Sequence, residues 1–242
     1  MDICGFRKTT LLDYPEHVAA TIFTGGCNFC CPFCHNAGLV LDVKEQPRIA
    51  VQEILHYLQK RRGILQGICV TGGEPTLQSD LAQLLVQIKE MGYLVKLDTN
   101  GYRPQVLYRL LEKDLLDYVA MDIKASKSNY ARVTGVSDLV LSNIEESVTL
   151  LKEGSIPYEF RTTVVKGLHR IEEFESVGEW LSGARVYYIQ AYEQNENVIG
   201  MQQKGKDAGE IVTFSAFSKA EMQEIVRKAK KYIDKVMLRG VE

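Results

Sequence analysis

HVAATIFTGGCNFCCPFCHN, residues 17–36, is the stretch from which the rest of the chain is read. Residues 17–24 form a near-continuously apolar run of β character. The run breaks at Gly25-Gly26 into a loop that holds Cys27, Cys30, Cys31 and Cys34 within eight positions. Outward from it, β-like runs recur as GICVT (67–71), YLVKLDT (93–99), YVAMDIK (118–124), YEFRTTVV (158–165) and VYYIQAY (186–192). Segments 50–62, 79–91, 104–115, 142–153 and 171–182 between them carry helical period. Apolar strands joined by helices of this length predict a parallel sheet with crossover helices. The fold class expected is therefore α/β, a partial (β/α)6 TIM-like barrel with the cysteine loop after its first strand. Spacing alone equally allows an open doubly wound sheet.

The chain has 242 residues, 45% hydrophobic and 25% charged, enough to bury a sizeable core as one domain over 1–242. A net charge of −2 and a pI near 6.1 argue against broad binding to nucleic acid or anionic membrane. No apolar run approaches the roughly 20 residues that span a bilayer. The first residues, MDICGFRKTTLLDYPEH, carry charges and no apolar core of a secretory signal, so the expected location is cytoplasmic. Residues 218–239 place Met222, Ile225, Val226, Ala229, Ile233, Val236 and Met237 at helical spacing, which predicts a C-terminal packing helix with a basic outer face. Residues 193–214 are polar and aperiodic and read as a long loop or lid.

Dense thiols in a cytosolic chain indicate metal or redox chemistry rather than disulfide staples. Three of them, Cys27, Cys31 and Cys34, can ligate three irons of a cubane cluster and leave the fourth iron open to a substrate. The rival is zinc, because Cys27-x2-Cys30 and Cys31-x2-Cys34 are each also a zinc-like pair. A second motif, ICVTGGEP (68–75), ends the next β run. Its paired glycines allow a ligand to approach the backbone, and Glu74 adds a negative charge beside the stiff Pro75. Alone it is equally an ordinary βα turn. LDTNG (97–101) and YVAMDIKAS (118–126) end the following two runs, so Asp98 and Asp122 fall at one face of the sheet. Two carboxylates there would repel unless a bound cation or Lys124 relieved them; the plainer reading makes them caps and loop residues. Cys4 and Cys69 read as small core hydrophobes.

The spacing Cys27-x3-Cys31-x2-Cys34 resembles the cluster motif of the radical S-adenosylmethionine (SAM) superfamily. The following His35-Asn36 resembles its glycyl-radical-enzyme activases, and Gly72-Gly73-Glu74-Pro75 resembles the superfamily's GGEP element. GFRKTTLLDYP (5–15), MDIKA and YEFRTTVVKGLH extend the resemblance to the activating proteins of anaerobic ribonucleoside-triphosphate reductase, over essentially the whole chain. The resemblance implies the radical SAM form of the barrel, with a [4Fe–4S] cluster on Cys27, Cys31 and Cys34. It implies that SAM is held by Gly72, Gly73 and Glu74, by Asp98 and Asp122 with a monovalent cation, and by Lys124 and Arg161. Arg161 also reads as a strand-end arginine paired to Glu159 or solvent. Cys30 departs from the pattern and reads as a loop thiol beside the cluster, a competing ligand or an oxidation site; His35 reads as a neighbour of the cluster or a surface histidine.

By the same resemblance the chain is a radical SAM oxidoreductase. It would cleave SAM reductively and raise a glycyl radical on a partner, an anaerobic ribonucleotide reductase, with flavodoxin or ferredoxin as electron donor. The alternatives are an activase of a formate-lyase type of partner, a radical SAM enzyme acting directly on a small molecule or peptide, and a non-enzymatic Fe–S or zinc protein.

Overall fold

The computed structural model describes residues 1–193, 198–202 and 214–241. Among these, the strands are β1 (Ile3–Thr10), β2 (Ala19–Thr24), β3 (Gly67–Gly72), β4 (Leu94–Thr99), β5 (Tyr118–Asp122), β6 (Tyr158–Val164), β7 (Tyr187–Ala191) and β8 (Val236–Arg239). The helices are α1 (Ala37–Leu41), α2 (Val51–Gln59), α3 (Leu81–Glu90), α4 (Pro104–Glu112), α5 (Tyr130–Thr134), α6 (Leu141–Glu153), α7 (Glu173–Trp180), α8 (Ile199–Gln202) and α9 (Lys219–Ala229). All six expected strands form, each within two residues of its predicted ends. In the sheet they follow chain order, β1 to β8, without the reversal that defines a doubly wound sheet. Strand order thus settles the choice that spacing left open, in favour of the barrel type.

Two strands were not expected. β1 pairs antiparallel with β2, and its exposed centre, Arg7–Thr9, hides the alternation by which a strand is recognised. The predicted helix over 218–239 stops at Ala229, and Val236–Arg239 instead form β8, parallel to β7. Most of the expected lid over 193–214 lies outside the described residues. Among the described residues no helix is long and apolar enough to cross a membrane.

The chain forms two compact units, each with its own packing. The first comprises Met1–Asn28, Gly38–Ala120 and Ser155–Pro157. In it β2 pairs with β3, and β3 with β4, all parallel. Ala20, Ile22, Ile68, Val70, Val95 and Leu97 have no solvent exposure, as strands covered on both faces require. α3 buries Leu81, Leu84, Leu85 and Ile88, a one-sided apolar stripe at helical spacing.

The second unit comprises Phe29–Ala37, Met121–Gly154 and Tyr158–Glu242. Here β6, β7 and β8 are parallel neighbours. α9 opens with a capping box: the Ser218 hydroxyl accepts from the Glu221 N–H, and the Glu221 carboxylate accepts from the Ser218 N–H. Gly178 of α7 lets that helix pass close to α9, since a Cβ there would stand 3.0 Å from the Ala229 Cα. Arg239 of β8 reaches the buried Glu159 of β6 through two bonds, 2.9 and 3.2 Å.

Candidate active site

In the first unit the loops that follow β2, β3 and β4 are locked to one another. Gly73 N–H donates to the Thr24 carbonyl, and Glu74 N–H donates to the Gly26 carbonyl, both at 2.8 Å. Glycine is required at both positions of the pair by the chain itself. A Cβ on Gly72 would lie 2.3 Å from Thr24 backbone atoms, and one on Gly73 would lie 2.0 Å from the Gly26 oxygen. The cysteine loop thus packs directly against this glycine pair.

Glu74 is 1% exposed, and its carboxylate joins its own loop to the end of β4. Oε1 accepts from Thr76 N (3.1 Å), Thr76 Oγ1 (2.5 Å) and Thr99 Oγ1 (2.7 Å), while Oε2 accepts from Asn100 N (2.7 Å). Burial pushes the Glu74 carboxyl above its usual range, and the hydrogen bonds from Thr76, Asn100 and Thr99 pull against that shift. With one bond on Oε2, the carboxylate retains a lone pair for a further donor. Asn100 also turns its amide toward the cysteine loop, with Nδ2 2.9 Å from Asn28 Oδ1 and 3.9 Å from Cys27 Sγ. The Asn28 Nδ2, buried beside Cys27, has no protein acceptor. Asp98 lies on β4 against Lys96 and Cys69. Neither Asn100 nor Lys96 stands out in the sequence: the first hides inside LDTNG, the second inside an otherwise apolar strand.

In the second unit Asp122, Lys124 and Arg161 come together. Lys124 Nζ donates to Asp122 Oδ2 at 2.8 Å, and Arg161 Nε donates to Asp122 Oδ1 at 2.5 Å. Burial alone would raise the Asp122 carboxyl, but Arg161 and Lys124 hold it well below the usual carboxylate range. Burial likewise opposes the charge on Lys124, and Asp122, with the thiols of Cys31 and Cys34, holds that ammonium above its ordinary value. Burial pushes the Cys34 thiol up, while Asn36 and Lys124 draw it back down. Arg161 thus bonds to Asp122, and Arg239 bonds to Glu159. His169 Nδ1 accepts from Val165 N–H at 2.9 Å and Nε2 lies 2.8 Å from the Lys124 carbonyl, which fixes the backbone under that lysine. Cys30 N–H donates to the Thr134 carbonyl at 2.9 Å, and the exposed His35 ring stands 5.4 Å from that of Tyr192.

None of the six cysteines takes part in a disulfide. Among the described residues no group of three His, Cys, Asp or Glu side chains is arranged for a single metal ion. A cubane asks for something else, since each thiolate there binds a separate iron. The acids at the ends of β4 and β5 already hold cations supplied by the chain, Lys96 for Asp98 and Lys124 with Arg161 for Asp122.

The sequence profile of the radical SAM superfamily matches residues 21–181, more than half of the chain. A protein of Methanocaldococcus jannaschii assigned as a glycyl-radical enzyme activating enzyme is 31% identical over 99% of this chain and 96% of its own length. A second such protein of that organism is 30% identical over 77% of this chain and 72% of its own. Among solved structures, SuiB of Streptococcus suis bound to its precursor peptide superposes with a TM-score of 0.67 at 13% identity. That match covers 91% of this chain and 48% of SuiB, and so carries the fold alone. Profile, relatives and fold agree with the loops assembled above: the chain belongs to the radical SAM superfamily, and within it to the enzymes of the glycyl-radical-activating type.

Proposed function

We propose that Cys27, Cys31 and Cys34 hold a [4Fe–4S] cluster and that Gly72, Gly73, Glu74, Asp98, Asp122, Lys124 and Arg161 form the SAM site of a single radical SAM domain over 1–242. The observation that carries this reading is the clamp between the GGEP loop and the cysteine loop, closed by the Gly73–Thr24 and Glu74–Gly26 bonds. Two further features fit the cluster. The cysteines are in no disulfide, and the buried Asn28 Nδ2 beside Cys27 lacks an acceptor that a sulfide or thiolate would supply. When bound, cluster and SAM together supply reductive homolysis of the sulfonium S–C5′ bond, giving a 5′-deoxyadenosyl radical able to take the α-hydrogen of a glycine.

The chain's own residues orient and hold. The Glu74 carboxylate, fixed by Thr76, Thr99 and Asn100, offers Oε2 to an ammonium group. Lys124 and Arg161, set in place by Asp122, offer positive charge to a carboxylate. We do not extend the site to a monovalent cation, because both acids already hold cations of the chain. The partner proposed is an anaerobic ribonucleotide reductase, with flavodoxin or ferredoxin as electron source. Support for the reductase comes from GFRKTTLLDYP, MDIKA and YEFRTTVVKGLH. The location proposed is the cytoplasm, where closely spaced cysteines stay reduced.

The test mixes anaerobically reconstituted, reduced protein and SAM with ribonucleotide reductase and, separately, with a formate-lyase type partner. The reading expects 5′-deoxyadenosine in both mixtures and a glycyl radical signal on the reductase. A radical only on the lyase would move the partner assignment, and no 5′-deoxyadenosine at all would remove the function.

A further inference from the structure

Family resemblance places a monovalent cation beside Asp98, and the side chains present do not fit one. On β4, Lys96 and Asp98 are two residues apart and so share a face of the strand. The Lys96 ammonium bonds to Asp98 Oδ1, with the lysine side chain 3% exposed and that of the aspartate 13%. Cys69, the register partner of Lys96 on β3, completes the group. Its Sγ lies 3.7 Å from Asp98 Oδ1 and 3.8 Å from Lys96 Nζ. The charge of Asp98 is thus met inside the protein by a cation that cannot dissociate.

We propose that Lys96 is a positioning residue whose tethered ammonium replaces the monovalent cation, neutralising and orienting Asp98 so that this chain binds SAM without K+ or Na+. The proposal rests on the SAM site given above. An ammonium carries the single charge of such an ion and adds directional N–H donors. Its desolvation is met once, on folding, rather than at each binding event. An incoming ion would have to displace Nζ from Asp98 and leave a buried ammonium without this carboxylate, which is unfavourable.

The test uses cluster-reconstituted full chain in tetramethylammonium, potassium or sodium chloride at equal ionic strength. It reads SAM affinity from the paramagnetic resonance of the reduced cluster and rate from 5′-deoxyadenosine. The expected result is agreement within about twofold across the three salts; tightening of about tenfold or more in potassium or sodium overturns the proposal. Lys96→Met should weaken SAM binding about tenfold or more in tetramethylammonium and regain most of the loss, saturably, in potassium or ammonium chloride. An unaffected variant overturns the proposal. So does a loss indifferent to the cation, which is what a merely structural lysine would give. Where Lys96→Met does not fold, Lys96→Met/Asp98→Asn removes both charges and should bind weakly in every salt; a potassium response there contradicts the role given to Asp98. No SAM binding by the unaltered chain in any salt is a different outcome, which brings down the site assignment and the proposal with it.

Discussion

Gly73→Ala tests whether the GGEP loop is held against the cysteine loop by backbone contact. An alanine Cβ would stand 2.0 Å from the Gly26 oxygen and 2.6 Å from its carbonyl carbon. Ordinary carbon–oxygen contact begins near about 3.3 Å, so the loops must part by roughly 1 Å or more. That separation takes the Gly73–Thr24 and Glu74–Gly26 bonds, both 2.8 Å, beyond hydrogen-bond reach. Each such bond contributes about 1 kcal/mol, and a buried group left unpaired costs about 1–3 kcal/mol more. Partial relaxation brings the expected loss to about 2–4 kcal/mol. Gly92→Ala is the control: Gly92 has φ +88° with nothing within 4 Å of a Cβ, so it incurs only the left-handed penalty of about 1–2 kcal/mol. Urea unfolding of the two variants and the parent gives the stabilities, and resonance titration gives SAM affinity. The reasoning is refuted if Gly73→Ala loses no more stability than Gly92→Ala and binds SAM as the parent does.

Arg239→Ala removes the bidentate partner of a carboxylate that is 1% exposed. It should cost about 3 kcal/mol, and Glu159→Gln/Arg239→Met should recover at least half; equal loss in both variants counts against the pair. Asp122 has a depressed carboxyl, so its ion pairs stabilise the fold above the ordinary aspartate range, near pH 4, and that contribution fades as pH falls further. Stability measured by urea unfolding from pH 5 down to 3 should therefore fall less steeply in Asp122→Asn; parallel slopes would contradict the assignment. Asn100→Ala keeps the backbone bond to Glu74 but removes the amide donor 3.9 Å from Cys27 Sγ. A potentiometric titration should place the variant's cluster at a lower reduction potential, because an N–H donated to a cluster thiolate favours the reduced state; an unchanged potential denies the contact.

What the sequence discloses and what it withholds divide along physical lines. Apolar runs such as ATIF and ICV are legible because a strand buried on both faces has no alternative composition. β8 is not legible: Val236 and Met237 continue the helical spacing of Met222, Ile225 and Ala229, and only pairing with Tyr187–Gln190 makes them strand. With β8 read as helix, the bond from Arg239 to Glu159 is not visible in the sequence. The GGEP element is visible as a motif, but the packing of its glycines against the cysteine loop is not. Their collision partners, Thr24 and Gly26, are distant in sequence and become neighbours only in the sheet. Lys96 escaped notice because one lysine in an apolar strand carries no periodic signal, whereas its register against Cys69 and its bond to Asp98 are tertiary facts.

The central claim, that this chain holds a cluster with an iron open to SAM, is tested most directly on anaerobically reconstituted protein. The measurement is the electron paramagnetic resonance spectrum of the dithionite-reduced sample with and without SAM. The account predicts a [4Fe–4S]+ signal that changes on addition of SAM and is lost in Cys31→Ala. A preparation that retains only zinc, or a cluster whose spectrum is indifferent to SAM, contradicts it.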